Sequence, residues 1–477
     1  MLFNSIEYAI FLPIVFLLYW FVFNRNLKLQ NLFVVVVSYI FYGWWDWRFL
    51  FLIAFTSFCS YIAGILIDKY RDVPRKAKLI NVLNIVVNLL ILGVFKYYDF
   101  FATSFADLFL GGRTDGLLLH IILPVGISFY TFQALSYSID VYRGTMDPTR
   151  DVIQFFAYVS FFPQLVAGPI ERATNLLPQF GKPRTFDYET GVDGMRQILW
   201  GLFKKMVIAD NCAVYVDEVF STYQTQSGST LLVAAIFFAF QIYGDFSGYS
   251  DIAIGTAKLF GIKLMRNFNV PYFSRDIAEF WRRWHISLTT WFRDYVYIPL
   301  GGSRCSKAKI VRNTFVIFLL SGFWHGANWT FIAWGAYHAL LFLPLILMGK
   351  NRKYRDVVAK DRFLPTLKEV GQMLLTFFLV VIGWIIFRAE SIGQAWEILR
   401  LICTPSLFSM PGLSGVTGFS FAIALMVIVE WIQRRKPHAM DLLGLHSSAL
   451  RYAVYAAIVF LTFALGGHTE NFIYFQF

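Results

Sequence analysis

The chain has 477 residues, of which 57% are hydrophobic and only 15% are charged. Soluble domains usually carry about 25% charged residues, so this composition excludes a water-soluble protein of this length. A net charge of +12 would suggest nucleic-acid binding in a soluble protein, but here the basic residues lie in short segments between apolar runs. That distribution orients membrane proteins in the bilayer, so it predicts a topology and no nucleic-acid partner.

Nearly charge-free segments recur along the whole chain, and several approach the roughly 20 residues that cross a bilayer. We expect roughly ten to thirteen hydrophobic elements, some of them shorter than a full span. Short elements predict re-entrant or broken helices that are shielded by other helices or line a wet cavity. The clearest runs are Ile10 to Phe23, Ile80 to Phe95, Leu231 to Tyr243, Leu374 to Phe387 and Tyr452 to Leu465.

The first apolar run is followed, not preceded, by the basic residues Arg25 and Lys28, which is unlike a cleaved secretory signal. We therefore predict a retained span with the N-terminus outside and the basic segments in the cytoplasm. The polar segments 101–116 and 211–230 are assigned to the outer side. No repeat or soluble domain interrupts the pattern, so residues 1–477 are predicted to form a single membrane domain. The four cysteines show no paired spacing, and no metal site is predicted.

The central third departs from this simple pattern and carries the densest motifs, in a core of about residues 240–348. Polar and glycine residues interrupt every hydrophobic run between Tyr243 and Ser303. Ionisable groups inside a membrane cost about 2.5 to 3.5 kcal/mol each on insertion scales, so they usually mark a functional site. For Asp245 and Asp251 we favour helix capping over catalysis, with both residues in the lining of a cavity.

His325 follows the basic segment at Arg312 by 13 residues. On a helix that rises 1.5 Å per residue, the imidazole lies roughly 20 Å inward, beyond the bilayer midplane. Asn313 to Met348 is predicted to form a hairpin that breaks at Gly326. His325 is then either a functional group or a core histidine bonded to a neighbouring carbonyl.

A second histidine, His285, lies among charged residues in an aromatic segment, where it is either a functional group or an interfacial cap. Glu279, Arg282 and Arg283 have helical spacing and are expected to pair on one face. Arginines in membrane proteins often extend toward lipid headgroups. For Arg282, Arg283 and Arg293 phosphate binding is an equally good interpretation, because the guanidinium fork matches phosphate oxygens.

Three further residues are assigned to the lining of the same cavity. Trp324 is adjacent to His325, and Asn328, three residues after His325, is expected to share its helical face and hydrogen-bond it. His338 follows His325 by 13 residues, which on one helix corresponds to about 220° of rotation, so the two side chains would face apart. A structural or cavity-lining role is favoured for His338.

Taken together, several strings in this chain closely resemble the membrane-bound O-acyltransferase family. They are Asp245-Phe-Ser-Gly-Tyr-Ser-Asp251, Asn267-Phe-Asn-Val-Pro-Tyr272, Phe280-Trp-Arg-Arg-Trp-His285, Trp291-Phe-Arg-Asp-Tyr-Val-Tyr-Ile-Pro-Leu-Gly-Gly302 and Gly322-Phe-Trp-His325-Gly-Ala-Asn-Trp329. The resemblance runs nearly end to end, through residues 124–133, 161–170 and 471–477. Within the family the chain is most similar to bacterial acyltransferases of alginate and other exopolysaccharides, and more distantly to the teichoic acid D-alanyl transferase.

The resemblance implies an all-α polytopic fold around a funnel or tunnel, in a multi-pass protein of the bacterial inner membrane. It identifies His325 with the family histidine and His285 with the second active-site position. It also implies an O-acyltransferase, here an O-acetyltransferase, that binds no cofactor tightly and uses acetyl-CoA or another acyl thioester from the cytoplasm as co-substrate. No loop is long enough for a polysaccharide-binding domain, so an extracytoplasmic acetyltransferase partner is expected to complete the transfer to polysaccharide.

In such a reaction neutral His325 would accept a proton, and His285 would orient the donor or donate to the oxyanion. An acyl-histidine intermediate remains a second route. Two other functions are weighed against this one. A lipid O-acyltransferase acting on a membrane alcohol would need a lateral apolar opening. A transporter would use the acidic residues and histidines as a proton relay, but the internal repeat typical of transporters is missing.

Overall fold

The computed structural model describes residues 1–114, 116–413, 416–442, 447–467, 470 and 472–473. Throughout these residues the regular structure is helical and no strand is present, which confirms the all-α prediction. Most of the closing motif at 471–477 lies outside the described residues.

Six of the described helices are long and apolar enough to cross a membrane, and three shorter apolar helices accompany them. The protein is therefore a multi-pass membrane protein, while the side on which its N-terminus lies remains a prediction. The six are Trp47–Lys69, Pro74–Phe109, Gly228–Leu259, Trp329–Leu347, Leu367–Arg388 and Ser448–Leu465, and the shorter three are Ile6–Val22, Leu27–Gly43 and Thr417–Ile432.

The chain folds into two compact units, and the prediction of a single domain is not tested by this division. The first unit comprises residues 1–195 and 253–265. Its helices are α1 (Ile6–Leu17), α2 (Leu27–Gly43), α3 (Leu50–Lys69), α4 (Pro74–Leu92), α5 (Tyr98–Phe109), α6 (Ile127–Tyr142), α7 (Val152–Ser160), α8 (Phe162–Leu165), α9 (Ala173–Phe180) and the beginning of α10 (Tyr188–Leu202).

Polar side chains hold three helices of the first unit together. The amide of Asn84 on α4 donates to Ser138 on α6 at 2.9 Å, and its oxygen accepts from Ser60 on α3 at 3.3 Å. Apolar surfaces gain little from association in lipid, so small polar residues of this kind contribute much of the specificity between membrane helices.

The second unit comprises the described parts of 196–252 and 266–477 and contains every candidate catalytic residue. Its helices are the end of α10, α11 (Asp210–Ser221), most of α12 (Gly228–Leu259), α13 (Ile277–Arg283), α14 (Ile286–Phe292), α15 (Lys307–His325), α16 (Trp329–Leu347), α17 (Leu367–Arg388), α18 (Ile392–Ile402), α19 (Thr417–Ile432) and α20 (Ser448–Leu465). Two π-helical segments, Phe203–Ala209 and Arg293–Tyr297, extend α10 and α14.

Helix α12 runs without a break from Gly228 to Leu259. Asp245 and Asp251 therefore lie inside the helix, where the backbone N–H groups are already bonded to carbonyls of the preceding turn. The helix-capping interpretation of these two residues is wrong.

The predicted hairpin is confirmed, because α15 ends at His325 and α16 begins at Trp329. The two helices approach so closely at Gly335 that a Cβ there would overlap the carbonyl oxygen of Phe318. Since that neighbour is backbone, it has little freedom to move aside. The hairpin places His325 at the end of its first helix, at the turn.

We expect Gly335→Ala to destabilise the hairpin by about 1–3 kcal/mol, because the added methyl group meets backbone atoms. Gly371→Ala is the matched control, since a Cβ at that exposed helical position meets nothing within 4 Å. Helix propensity should make this control neutral or more stable by up to about 1 kcal/mol. Thermal unfolding in detergent measures both, and equal melting temperatures for the two variants would contradict the close packing.

Candidate active site

His285 occupies a strained turn between α13 and α14. Its backbone is left-handed, with φ 45° and ψ 54°, a conformation that is costly for a residue with a side chain. The turn is held because Ile286 donates its N–H to the carbonyl of Asn267 at 2.9 Å, and Asn269 donates to the carbonyl of Arg283 at the same distance. The segment 267–269 thus fixes where the imidazole of His285 lies.

The side chain of Asn267 determines which nitrogen of His285 carries the proton. Its Oδ1 accepts from the backbone N–H of Ser287 at 3.2 Å, so this atom must be the amide oxygen. The same oxygen lies 3.2 Å from Nδ1 of His285, which must therefore be the protonated nitrogen. Nε2 then carries the lone pair, and no side or main chain in the described part of the protein hydrogen-bonds it.

Burial keeps this imidazole uncharged. His285 is only 1% exposed and lies outside the six candidate spans. Removal from water disfavours the charged form and lowers the pKa of His285 from 6.5 to about 3. Neutral His285 can accept a hydrogen bond or a proton at Nε2, but it has no proton there to donate.

The structure brings His325 next to His285 in one buried aromatic cluster. The two ring centroids are 6.5 Å apart, and His325 is 3% exposed. Trp324 contacts both rings, with centroid distances of 5.7 Å to His285 and 5.0 Å to His325. Two residues 40 positions apart in sequence therefore share one site because the α15–α16 turn lies beside the α13–α14 turn.

His338 also belongs to this cluster, in contrast to the expectation that it faces away from His325. The rotation argument assumed one helix, but the chain turns at Gly326, so the two histidines lie on different helices. Trp334 contacts both of them, at 5.1 Å from His325 and 5.0 Å from His338. His338 is completely buried among aromatic rings, as a structural role would require.

The predicted hydrogen bond from Asn328 to His325 is wrong. Asn328 caps α16, because its Oδ1 accepts from the N–H of Thr330 at 3.0 Å. Its Nδ2 donates to the carbonyl of Glu390 at 2.9 Å. The helix break at Gly326 removes the shared helical face on which the expectation depended.

The three candidate phosphate-binding arginines are placed differently from one another. Arg282 and Arg293 line a cavity of about 560 Å³ between α13–α14, α15, α16 and the segment after α16. Arg283 pairs instead with Glu279 at 2.8 Å, which confirms half of the predicted pairing. Arg282 donates to the backbone carbonyls of Asn351 and Tyr354, at 2.6 Å each.

Two cavity-lining arginines, Arg352 and Arg355, were missed at the level of sequence. They lie in the basic segment 350–362, which the charge pattern assigned only to topology. Basic residues close to a polar, aromatic motif could have been treated as ligand candidates, but nothing in the linear sequence places residue 352 near residue 282.

Asp245 and Asp251 are paired with lysines of the π-helical segment Phe203–Ala209. Lys205 lies 2.8 Å from Asp245, and Lys204 lies 2.6 Å from Asp251. Both lysines are buried, and breaking such a pair leaves an uncompensated charge that costs several kcal/mol. Adjacent lysines in an apolar segment were the sequence signal for this network, which anchors α12 to the end of α10.

Comparison with known proteins identifies the family of this chain. The model of the membrane-bound O-acyltransferase family matches residues 149–355, which include both site histidines. A probable alginate O-acetylase of Pseudomonas aeruginosa is 43% identical over 395 residues, covering 83% of this chain and 73% of that protein. The chain belongs to the membrane-bound O-acyltransferase family. The motifs of this O-acyltransferase predicted that membership, and the comparison confirms it.

Two other relatives of this O-acyltransferase are named after different polymers. A peptidoglycan O-acetyltransferase of Helicobacter pylori is 35% identical over 435 residues, which is 85% of this chain and 79% of that protein. A teichoic acid D-alanyltransferase of Bacillus subtilis is 29% identical over 286 residues, or 57% of this chain and 70% of that protein. The names of the three relatives refer to alginate, peptidoglycan and teichoic acid.

We expect Asn267→Asp to make the enzyme more sensitive to acid. A carboxylate beside Nδ1 favours the imidazolium and raises the pKa of His285, so protonation removes the Nε2 lone pair at a higher pH. The rate of acyl transfer, measured between about pH 5 and pH 8, should fall earlier on acidification than in the parent enzyme.

Ser250→Ala serves as the control for this variant. Ser250 bonds the other end of the same amide, at 3.1 Å from Nδ2 of Asn267, and has no contact with Nδ1. The acidic limb of the pH–rate profile of Ser250→Ala should match that of the parent enzyme. An unshifted acid limb in Asn267→Asp would refute the role assigned to residue 267.

Proposed function

We propose that this enzyme takes an acetyl group from a thioester on the cytoplasmic side of the membrane and passes it toward a polysaccharide outside. The observation that carries the proposal is the buried pair of imidazoles, His285 and His325, with ring centroids 6.5 Å apart. The alginate and peptidoglycan O-acetylation activities after which two relatives are named support a polysaccharide hydroxyl as the final acceptor.

In the proposed reaction, an acceptor oxygen attacks the carbonyl carbon of the thioester while its proton moves to the neutral imidazole of His325. The tetrahedral intermediate then collapses and the carbon–sulfur bond breaks. The sulfur leaves as a thiolate and takes the proton back from the imidazolium. The products are an O-acetyl ester and a free thiol, and no oxidant or reductant is needed.

His285 takes the orienting role in this scheme. The alternative role, donation to the oxyanion, needs a proton on Nε2, which its tautomer does not carry. A lone pair at Nε2 suits acceptance of a hydrogen bond from an N–H or O–H of an incoming substrate. Holding reacting groups in place in this way lowers the entropic part of the barrier.

The cavity with the arginines supports a donor that carries phosphate. Arg282, Arg293, Arg352 and Arg355 line it, and no acidic residue is among its described lining residues. Acetyl-CoA combines a thioester with phosphate groups and is the donor we propose. The orientation predicted from charge places the segment 350–362 in the cytoplasm, where such a donor is available.

We propose that a separate extracytoplasmic protein completes the transfer to polysaccharide. The predicted outer segments 101–116 and 211–230 are partly helical, since α5 ends at Phe109 and α11 extends from Asp210 to Ser221. The remaining connections are therefore shorter than the sequence suggested, which leaves less chain to bind a polymer.

We expect His325→Ala to lower acetylation of the exported polymer by at least about a hundredfold, because general-base catalysis contributes 10²–10⁴ in rate. His285→Ala should also lower it strongly. Mass spectrometry of the extracellular glycan, normalised to the amount of membrane protein, measures both. His120→Ala, at an exposed histidine of the first unit, is the matched control and should leave acetylation unchanged.

The partner proposal is tested with vesicles that contain the purified enzyme, acetyl-CoA inside and de-acetylated polymer outside. The polymer is expected to remain unmodified until extracytoplasmic proteins of the source cell are added. Acetylation by the enzyme alone would contradict the need for a partner.

A further inference from the structure

Side chains from elsewhere in the second unit hold the segment between α16 and α17 in place by hydrogen bonds to its main-chain carbonyls. Arg282 of α13 donates one N–H to the carbonyl of Asn351 and another to the carbonyl of Tyr354, both at 2.6 Å. The planar guanidinium is suited to this double contact, because its donors have a fixed fork geometry. The backbone of residues 351–354 is thereby fixed against the helix that leads into His285.

Two more arginines bind the backbone a little further along this segment. Arg275 and Arg283 both donate to the carbonyl of Asp356, at 2.7 Å and 3.0 Å. Both also pair with the carboxylate of Glu279, which is 1% exposed. A buried carboxylate between two guanidinium groups fixes their directions, so the backbone at residue 356 has a rigid anchor.

A further contact fixes the end of the segment. Arg434 donates to the carbonyl of Val358 at 3.0 Å and to the carbonyl of Ala359 at 2.9 Å. Residues 350–362, which we name the donor loop, are therefore ordered by side chains that bind its backbone.

Two cationic side chains of the donor loop, Arg352 and Arg355, are not used in this anchoring. Arg352 and Arg355 are exposed, line the cavity, and make no hydrogen bond or ion pair with the described part of the chain. Arg293, across the cavity, is already paired with Asp294 at 2.6 Å. Arg282 is engaged by two carbonyls. Among the described residues that line the cavity, the cationic side chains without a hydrogen-bond or ion-pair partner are thus those of Arg352 and Arg355.

The rest of the lining has a different character. Trp281, Phe318 and Phe342 form an apolar wall, and Thr289 and Thr314 add hydroxyl groups. A ligand that fits both parts has an anionic end and a long, weakly polar arm. A phosphorylated pantetheine thioester has this chemistry.

We infer that Arg352 and Arg355 bind the phosphate groups of the acyl donor, and that Arg282 is a positioning residue that holds the donor loop. This inference rests on the proposed use of a thioester donor. It differs from the assignment made from sequence, which gave the phosphate contacts to Arg282, Arg283 and Arg293, because it places these contacts on residues 352 and 355. It also gives Arg282 and Arg283 the task of ordering the loop.

The test compares acetyl-CoA with S-acetylpantetheine, which has the same thioester arm and no phosphate, using purified full-length enzyme in vesicles. Arg352→Gln/Arg355→Gln should raise the KM for acetyl-CoA at least about tenfold, with kcat changed by less than about twofold. The KM for S-acetylpantetheine should not change. Equal effects on the two substrates, or no effect on either, would overturn the inference.

Lys353→Gln is the matched control. This lysine lies between the two arginines, is exposed, does not line the cavity, and contacts the Tyr354 ring at 4.9 Å. Its removal takes one positive charge from the donor loop, as each single arginine substitution does, but should leave both KM values unaltered. If it raises the KM for acetyl-CoA as much as the arginine variants, the effect is general charge and the inference fails.

The positioning role of Arg282 is tested by combination. Arg282→Lys keeps the charge but loses the planar fork that bonds the two carbonyls, so it should raise the KM for acetyl-CoA in the parent enzyme. In the Arg352→Gln/Arg355→Gln background it should add no further increase, because the contacts that it positions are already gone. A full additional increase in that background would show direct contact of Arg282 with phosphate and overturn the positioning role.

Anionic lipid is the other source of phosphate, and the vesicle composition separates it from the donor. The KM effect should be the same in phosphatidylcholine vesicles with and without phosphatidylglycerol. An effect seen only with phosphatidylglycerol would assign the arginines to lipid and overturn the inference.

If the parent enzyme transfers acetyl from neither thioester, the proposed function itself fails. If the parent enzyme turns over acetyl-CoA and the double variant has an unchanged KM, only the role assigned to the donor loop is refuted.

Discussion

The amide of Asn267 is the contact on which the geometry of the site depends. It lies completely buried beside α12, accepts from the N–H of Ser287, and orients the imidazole of His285. Its main chain bonds the N–H of Ile286, so the same residue also holds the left-handed turn. One residue, through its main chain and its side chain, thereby sets the position, the tautomer and the free lone pair of His285. A strained turn persists only where such surrounding contacts outweigh its cost.

Polar groups in an apolar protein must find partners within the chain, and this requirement explains much of the second unit. Buried lysines pair with Asp245 and Asp251, and the buried Arg283 and Arg434 bind backbone carbonyls of the donor loop. Each contact offsets part of the desolvation cost of a charge and at the same time fixes a segment. The arginines at the end of α13 therefore connect the donor loop to the turn that carries His285.

Sequence reasoning was most successful where the signal is local. Hydropathy predicted the membrane spans, and the family resemblance implied the all-α fold. The basic residues Arg312 and Lys350, on either side of an apolar stretch that contains Gly326, predicted the α15–α16 hairpin. Motif strings predicted the family, which the comparisons confirm. Sequence reasoning failed where the inference depended on an assumed helix boundary. Asp245 and Asp251 were treated as caps although α12 continues through them, and Asn328 was given the face of His325 although the helix ends before it.

By itself, the sequence determined that the protein spans a membrane, that its structure is helical, and that two histidines stand in polar motifs, because composition and spacing are properties of the linear chain. Only the tertiary structure decided that those histidines lie 6.5 Å apart, which nitrogen of His285 is protonated, and which arginines remain free to bind an anion. These features depend on contacts between segments tens of residues apart. No local pattern encodes the side-chain partners across such distances, because burial and hydrogen bonding select them only when the helices are packed.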